Sequence, residues 1–219
     1  MLSRIGEVQA PLPAAVALLI GMLTAVVVNG PTLWAITTHI NTVLHEGAHA
    51  VVGLGTGHSI HSVTIDRDGG GGTEIAPARG IGYAFAAFAG YIGPSIAGLI
   101  AAELISIGRI VIVLWLGLLL LAAMLLMVHN WFGGTVILGC GVLLYLILRF
   151  TAVGFETTIA YAVTWFLLVS GPKAVLGAGS KPQDAAILAG MTILWPSAWS
   201  FLWLIGTIAA LLGGGAILV

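Results

Sequence analysis

The sequence predicts an all-α membrane protein, a polytopic bundle of six or seven transmembrane helices formed by residues 1–219 as a single domain. Of these 219 residues, 59% are hydrophobic and only 7% are charged, whereas soluble domains carry about 25% charged residues. The mean hydropathy is +1.13. Apolar runs recur along the whole chain, and each is long enough for the roughly 20 helical residues that cross a hydrocarbon core. The chain is therefore expected to lie in a lipid bilayer.

Proline, glycine and charged residues divide the chain into seven apolar spans. Helices satisfy their own backbone groups inside lipid, and the spans lack the alternation of barrel strands, so we expect each to be helical. The first span follows Arg4 and lacks a small-x-small cleavage site, which favours a membrane helix over a signal peptide. The predicted spans are 12–29, 31–54, 82–105, 110–128, 133–150, 154–171 and 195–218.

Two polar connections are expected on one side of the membrane, at 59–77 and 172–194. In the first, His61 to Asp66 alternate in polarity before four consecutive glycines, a pattern that fits a small hairpin or a flexible loop. The net charge of −1 offers no basic patch for nucleic acid. The single Cys140 excludes an internal disulfide and a cysteine-based zinc site.

The positions of lysine and arginine predict the orientation of the chain. In a seven-span layout, Arg109 and Arg149 lie on one side and the other five cations lie on the opposite side. The positive-inside rule makes the five-residue side cytoplasmic, together with the N-terminus. These five residues are Arg4, Arg67, Arg79, Lys173 and Lys181.

The second span contains the segment His45-Glu46-Gly47-Ala48-His49. Because four residues are just over one helical turn, both imidazoles lie on one face with Glu46 beside them, as in helix-borne zinc sites. With six His and five Glu in 219 residues, a shuffled sequence would contain this spacing about 0.004 times. Ionisable groups inside a membrane helix cost on the order of 3 kcal/mol each and normally mark function. The segment therefore predicts a zinc site within the membrane.

Polar residues continue along the same helix through Thr38, Asn41 and Thr42. Such a stripe can serve only to bond adjacent helices, although that alternative does not account for the His and Glu spacing. His58 and His61 follow in the polar connection, where they can be metal ligands or solvated loop residues.

Glycine-rich segments follow the zinc motif: Gly55-Thr56-Gly57, Gly71-Gly72-Thr73 and Ala89-Gly90-Tyr91-Ile92-Gly93-Pro94. Together with Leu44 to Ala50, they resemble the site-2 protease-like family of membrane zinc metallopeptidases, over roughly residues 31–105. The resemblance implies zinc held by His45, His49 and a carboxylate, with Glu46 as general base. It also implies that a strand after the motif pairs with an unwound, membrane-spanning substrate.

A catalytic zinc normally has three protein ligands and one open position. The carboxylate predicted as the third ligand is Asp184. It follows the sixth span and is expected on the cytoplasmic side of the membrane, where the motif is also expected. Better-known family members carry an Asp-Gly motif on a late helix, and this sequence lacks it. Asp184-Ala185 resembles instead a divergent bacterial branch, which implies a bacterial cytoplasmic membrane. The alternative is that Asp184 caps a helix, with Ser180 and Gln183 forming a capping box.

Asn130, at the end of the fourth span, belongs to the same branch resemblance. Its amide is expected to hold the zinc water, the oxyanion or a substrate backbone group, so Asn130 is predicted as catalytic together with Glu46. The neighbouring His129 can be a zinc ligand in a three-histidine site. Both can alternatively be interfacial residues next to Trp131.

The sequence therefore predicts a zinc-dependent intramembrane endopeptidase that acts on membrane-spanning proteins or peptides. Two other classes stay open. A non-proteolytic zinc-binding protein would explain the missing Asp-Gly motif, and a transporter would explain spans interrupted by glycine.

Overall fold

The computed structural model, which describes residues 4, 6–179 and 182–219, is a helical bundle with one small sheet, as predicted. Five of the described helices are long and apolar enough to cross a membrane, and a bent pair adds a sixth span. The elements are α1 (Ala14–Asn29), α2 (Pro31–Gly55), β1 (Ser59–Ile65), β2 (Gly71–Ala76), α3 (Ile81–Ser106), α4 (Ile110–Met127), α5 (Trp131–Phe150), α6 (Val153–Gly177), α7 (Gln183–Met191) and α8 (Pro196–Leu218).

The later predicted spans coincide with α3, α4, α5, α6 and α8 to within a few residues, except at the end of α6. There the helix continues through Pro172 to Gly177, although the span was predicted to end at residue 171. Neighbouring groups can compensate for a proline inside a membrane helix, so the proline does not end it. The connection predicted at 172–194 contains α7, a helix of nine residues.

The first two predicted spans form one bent pair, α1 and α2, which meet at 98°. Gly30 separates them in an extended conformation, and Pro31 is the first residue of α2. Proline disfavours a helical conformation in the residue before it, which explains why α1 ends there. The described structure therefore has five or six candidate crossings, and the upper value agrees with the lower predicted count.

The N-terminal segment lies at the end of the bundle opposite the β1–β2 hairpin. Arg109 donates a hydrogen bond to the carbonyl of Gly6 at 2.7 Å, and Arg4 pairs with Glu156 at 2.7 Å. The seven-span layout had placed Arg4 on the hairpin side, because it counted α1 and α2 as two crossings. In the described part of the chain, each end carries three cations: Arg4, Arg109 and Arg149 at one end, and Arg67, Arg79 and Lys173 at the other.

The polar connection after α2 is an antiparallel hairpin with a register running from Ser59↔Ala76 to Ile65↔Gly71. Its buried side chains Val63 and Ile65 pack against α2, α4 and α5. The outer edge of β1 is occupied, because Val63 forms a parallel bridge with Val128 and accepts a hydrogen bond from the backbone N–H of His129 at 2.9 Å. Strand β2 is therefore the edge strand of the described sheet.

Candidate metal centre

Two histidines of α2 and one aspartate of α7 converge at the wall of a cavity of about 400 Å³. His45 Nε2 and His49 Nε2 lie 3.0 Å apart. Asp184 Oδ2 lies 3.1 Å from His45 Nε2 and 3.3 Å from His49 Nε2. Ligand atoms at about 2.0 to 2.1 Å from a tetrahedral zinc are about 3.3 to 3.4 Å from one another. The three donors therefore fit a zinc ion and leave its fourth position for water or substrate.

Neighbouring helices orient the two imidazoles. His49 Nδ1 lies 2.7 Å from the carbonyl oxygen of Ala86 on α3, an interaction that keeps the proton on Nδ1 and leaves Nε2 available as a ligand. The His45 ring packs edge-on against Tyr91 at 4.6 Å, and Tyr91 packs against Trp203 of α8 at 4.8 Å. Helices α3 and α8 thus support the ligand rings from behind.

Gly90 of α3 provides the space that the two rings occupy. A methyl group at this position would lie 2.7 Å from His45 Cε1 and closer still to the ring of His49. At Gly93 a methyl group would overlap Ala48 of α2. The third span thus packs closely against the motif helix at Gly90 and Gly93, because small residues allow backbones to approach.

Asp184 lies in the first turn of α7, which packs through the buried residues Ala185 and Leu188. Pro182 precedes the helix, and among the described residues no side chain caps this end by a hydrogen bond. Ser180 of the expected capping box lies outside the described residues. Burial would raise the pKa of the Asp184 carboxyl, but the adjacent His45 and His49 imidazoles hold that pKa below its usual range. Asp184 is therefore present as an anionic donor.

Glu46 lies beside the two histidines and is 4% exposed. Its Oε2 accepts a hydrogen bond from the hydroxyl of Thr73 at 2.7 Å, and its backbone carbonyl accepts a weaker one from the same hydroxyl at 3.2 Å. Thr73 belongs to strand β2, so the hairpin contacts the expected general base directly. Thr73 was part of a glycine-rich sequence match, and no spacing rule connected it to Glu46.

The structure does not bring Asn130 to the metal centre. Its side-chain amide accepts a hydrogen bond from the Ile65 N–H at 3.1 Å and donates one to the Ile65 carbonyl at 2.6 Å. Both amide atoms are thus occupied in holding the outer edge of β1, and Asn130 does not line the cavity. In this structure Asn130 positions the hairpin through Ile65, and its catalytic role stays a prediction.

The other candidate histidines also lie apart from the group formed by His45, His49 and Asp184. His129 is exposed, and its Nδ1 lies 2.8 Å from the carbonyl oxygen of Met127. His58 contacts Thr56 and the backbone of Arg79 in the loop after α2, and His61 is exposed on β1.

Among the other polar residues that line the cavity, Asn41 and Lys173 were not predicted as site residues. Asn41 is one helical turn before His45 and only 6% exposed, and no residue in the described ranges forms a hydrogen bond with its Oδ1. The polar stripe of the second span contained this residue. Lys173 of α6 contributes a positive charge to the same cavity, and no feature of the sequence singled it out.

The family model described as Peptidase M50B-like matches residues 15–214 of the chain. No curated protein and no solved structure matches this chain. The matched range includes the motif helix and Asp184, whereas the resemblance detected in the sequence covered only roughly residues 31–105.

Proposed function

Because this chain belongs to the Peptidase M50B-like family, we propose that it is a zinc-dependent intramembrane endopeptidase. Membership supports a protease, and the five or six apolar spans indicate an integral membrane protein. The observation that carries the proposal is the convergence of His45, His49 and Asp184. Their ligand atoms all lie within 4.8 Å of one another, beside the motif residue Glu46.

The chemistry proposed for this centre is peptide hydrolysis. A zinc ion held by His45, His49 and Asp184 would supply Lewis acidity for water and for the scissile carbonyl. Glu46 accepts a proton as the water oxygen bonds to the carbonyl carbon. It then donates this proton to the nitrogen, so that the amine leaves when the C–N bond breaks.

We propose that the substrate is a membrane-spanning segment that binds in extended form along the free edge of β2. In the described sheet, β2 pairs only with β1, and Gly71, Thr73 and Ile75 line the cavity. An extended peptide can add to such an edge through backbone hydrogen bonds. A helical segment must first unwind, because its backbone groups are already paired within the helix.

We further propose that the membrane is a bacterial cytoplasmic membrane and that the end carrying the metal centre faces the cytoplasm. Arg67, Arg79 and Lys173 lie at that end. Lys181 is outside the described residues but follows α6 in the sequence, and counting it there gives four of the seven cations. The N-terminal segment lies at the opposite end of the bundle and is then outside the cytoplasm. The metal centre and the N-terminus therefore cannot both be cytoplasmic, although the sequence had predicted both to be so.

Cysteine labelling tests this orientation in a Cys140→Ala background. An impermeant maleimide should label Gly6→Cys in intact spheroplasts and Asp68→Cys only after lysis. The reverse pattern would contradict the proposed orientation.

The proteolytic function is tested with Glu46→Gln and, as a matched control, Glu103→Gln, an exposed carboxylate near the far end of α3. Both proteins should bind zinc in wild-type amounts. In liposomes containing single-span proteins tagged at both ends, wild type and Glu103→Gln should release fragments. Glu46→Gln should be at least about 100-fold slower, because it lacks the general base. Equal cleavage by Glu46→Gln would rule out the mechanism, and zinc binding without cleavage would indicate a non-proteolytic protein.

A further inference from the structure

We propose that Thr73 is a positioning residue for the general base, and that a substrate strand bound to β2 fixes Glu46 through it. This inference rests on the proposed function and deepens it. The 2.7 Å hydrogen bond from the Thr73 hydroxyl is the side-chain contact that holds the Glu46 carboxylate in the described residues. It joins the strand proposed to bind substrate to the residue proposed to move the proton.

The contact belongs to a regular docking of the hairpin on α2. Two residues of a strand span about 6.6 Å and four residues of a helix span 6.0 Å, so every second residue of one can meet every fourth residue of the other. The closely packed glycines at 69 and 71 permit this approach, and Thr42 donates a hydrogen bond to the carbonyl of Gly69 at 2.6 Å. The contacting pairs are Gly69 with Thr38, Gly71 with Thr42 and Thr73 with Glu46.

The hydroxyl of Thr73 determines which way the Glu46 carboxylate points. It binds Oε2 and the backbone carbonyl of the same residue, so that the side chain is tied to its own helix turn. Oε1 has no protein partner in the described part of the chain, which leaves it available for proton transfer. Without the hydroxyl, the carboxylate can rotate away from the attacking water while the metal ligands stay in place.

Substrate binding would strengthen this arrangement. The first two residues of β2, Gly71 and Gly72, have greater backbone freedom than other residues, and an edge strand is hydrogen-bonded on one side only. A peptide added to the free edge would pair β2 on both sides and restrict the backbone that carries Thr73. The base is then correctly oriented when a strand occupies the edge, which favours hydrolysis of bound, extended substrate.

The test uses Thr73→Val, which removes the hydroxyl at nearly constant shape, and Thr73→Ser, which keeps it. Thr64→Val is the matched control, because Thr64 lies in β1 of the same hairpin, does not line the cavity and makes no side-chain hydrogen bond to any residue that the structure describes. The substrate is a tagged single-span protein that wild type cleaves and Glu46→Gln does not. Zinc content and hydrogen exchange of residues 71–76 are measured on the same full-length proteins.

We expect Thr73→Val to keep its zinc, its hairpin protection and its KM within about 2-fold, while kcat falls about 10- to 100-fold. This is the range for losing a hydrogen bond to a charged group. Thr73→Ser should recover kcat to within about 3-fold of wild type, and Thr64→Val should match wild type.

A wild-type kcat in Thr73→Val would overturn the inference while leaving the proposed protease intact. Faster exchange of the hairpin in Thr73→Val, or equal inactivity of Thr73→Ser, would show a structural role and would also overturn it. If no member of the substrate panel is cleaved in a Glu46-dependent way, the proposed function itself fails and this inference fails with it.

Discussion

Replacing Gly90 by alanine should impair zinc binding by displacing the two imidazoles. The new methyl group would lie 2.7 Å from His45 Cε1, whereas ordinary contacts begin at 3.4 Å, so the His45 ring must move by about 0.7 Å. The ring of His49 must move farther. Ligand constellations tolerate displacements of only about 0.5 Å, so zinc affinity should fall at least 10-fold.

The assay for Gly90→Ala is a zinc titration of the purified protein in competition with a chelator, followed by cleavage of a tagged membrane substrate. Gly139→Ala is the matched control, because a methyl group there meets nothing within 4 Å. Gly93→Ala is a second control that crowds Ala48 of α2 without touching either ring. Wild-type zinc affinity in Gly90→Ala, or an equal loss in Gly93→Ala, would refute the argument that Gly90 accommodates the metal ligands.

Three further substitutions test other parts of the structure. Asp184→Asn should lower zinc affinity by more than the 10- to 100-fold typical of losing an outer-shell partner, and unchanged affinity in the same titration would remove Asp184 from the ligand set. Asn130→Ala should leave zinc content unchanged and speed amide hydrogen exchange at Ile65, where the protection free energy should fall by about 1 to 3 kcal/mol. Loss of zinc would instead indicate that Asn130 acts at the metal centre. Arg4→Ala leaves the fully buried Glu156 without its ion-pair partner and should lower the thermal midpoint of unfolding, and adding Glu156→Gln should recover part of the loss. Equal midpoints for wild type and Arg4→Ala would contradict this.

Several glycines have specific packing roles in this fold. Gly90 admits the metal ligands, Gly71 lets the hairpin approach α2, and Gly21 accommodates the ring of Trp165 between α1 and α6. At each position a larger residue would clash with the neighbouring side chain and prevent this packing. Close backbone approach is a common device in membrane bundles, where lipid provides no hydrophobic force between helices.

Several features were predictable because they depend on residues close together in the chain. The apolar runs predicted α3, α4, α5 and α8 closely, since crossing lipid requires long hydrophobic helices. The spacing of His45 and His49 predicted that the rings share a face, since helix geometry alone sets this relation. The alternating segment followed by glycines was compatible with the hairpin that the structure contains.

Other features depend on residues that are distant in sequence. Asp184 was a candidate by resemblance, and its 3.1 Å approach to His45 depends on how α7 packs against α3 and α8. The side chain of Asn130 could serve either substrate or backbone, and the position of β1 assigned it to Ile65. The sequence alone thus determined the membrane class and the paired histidines, because periodicity expresses local geometry. Only the tertiary structure decided which carboxylate joins them and which hydroxyl holds Glu46, because these contacts arise from the packing of separate elements.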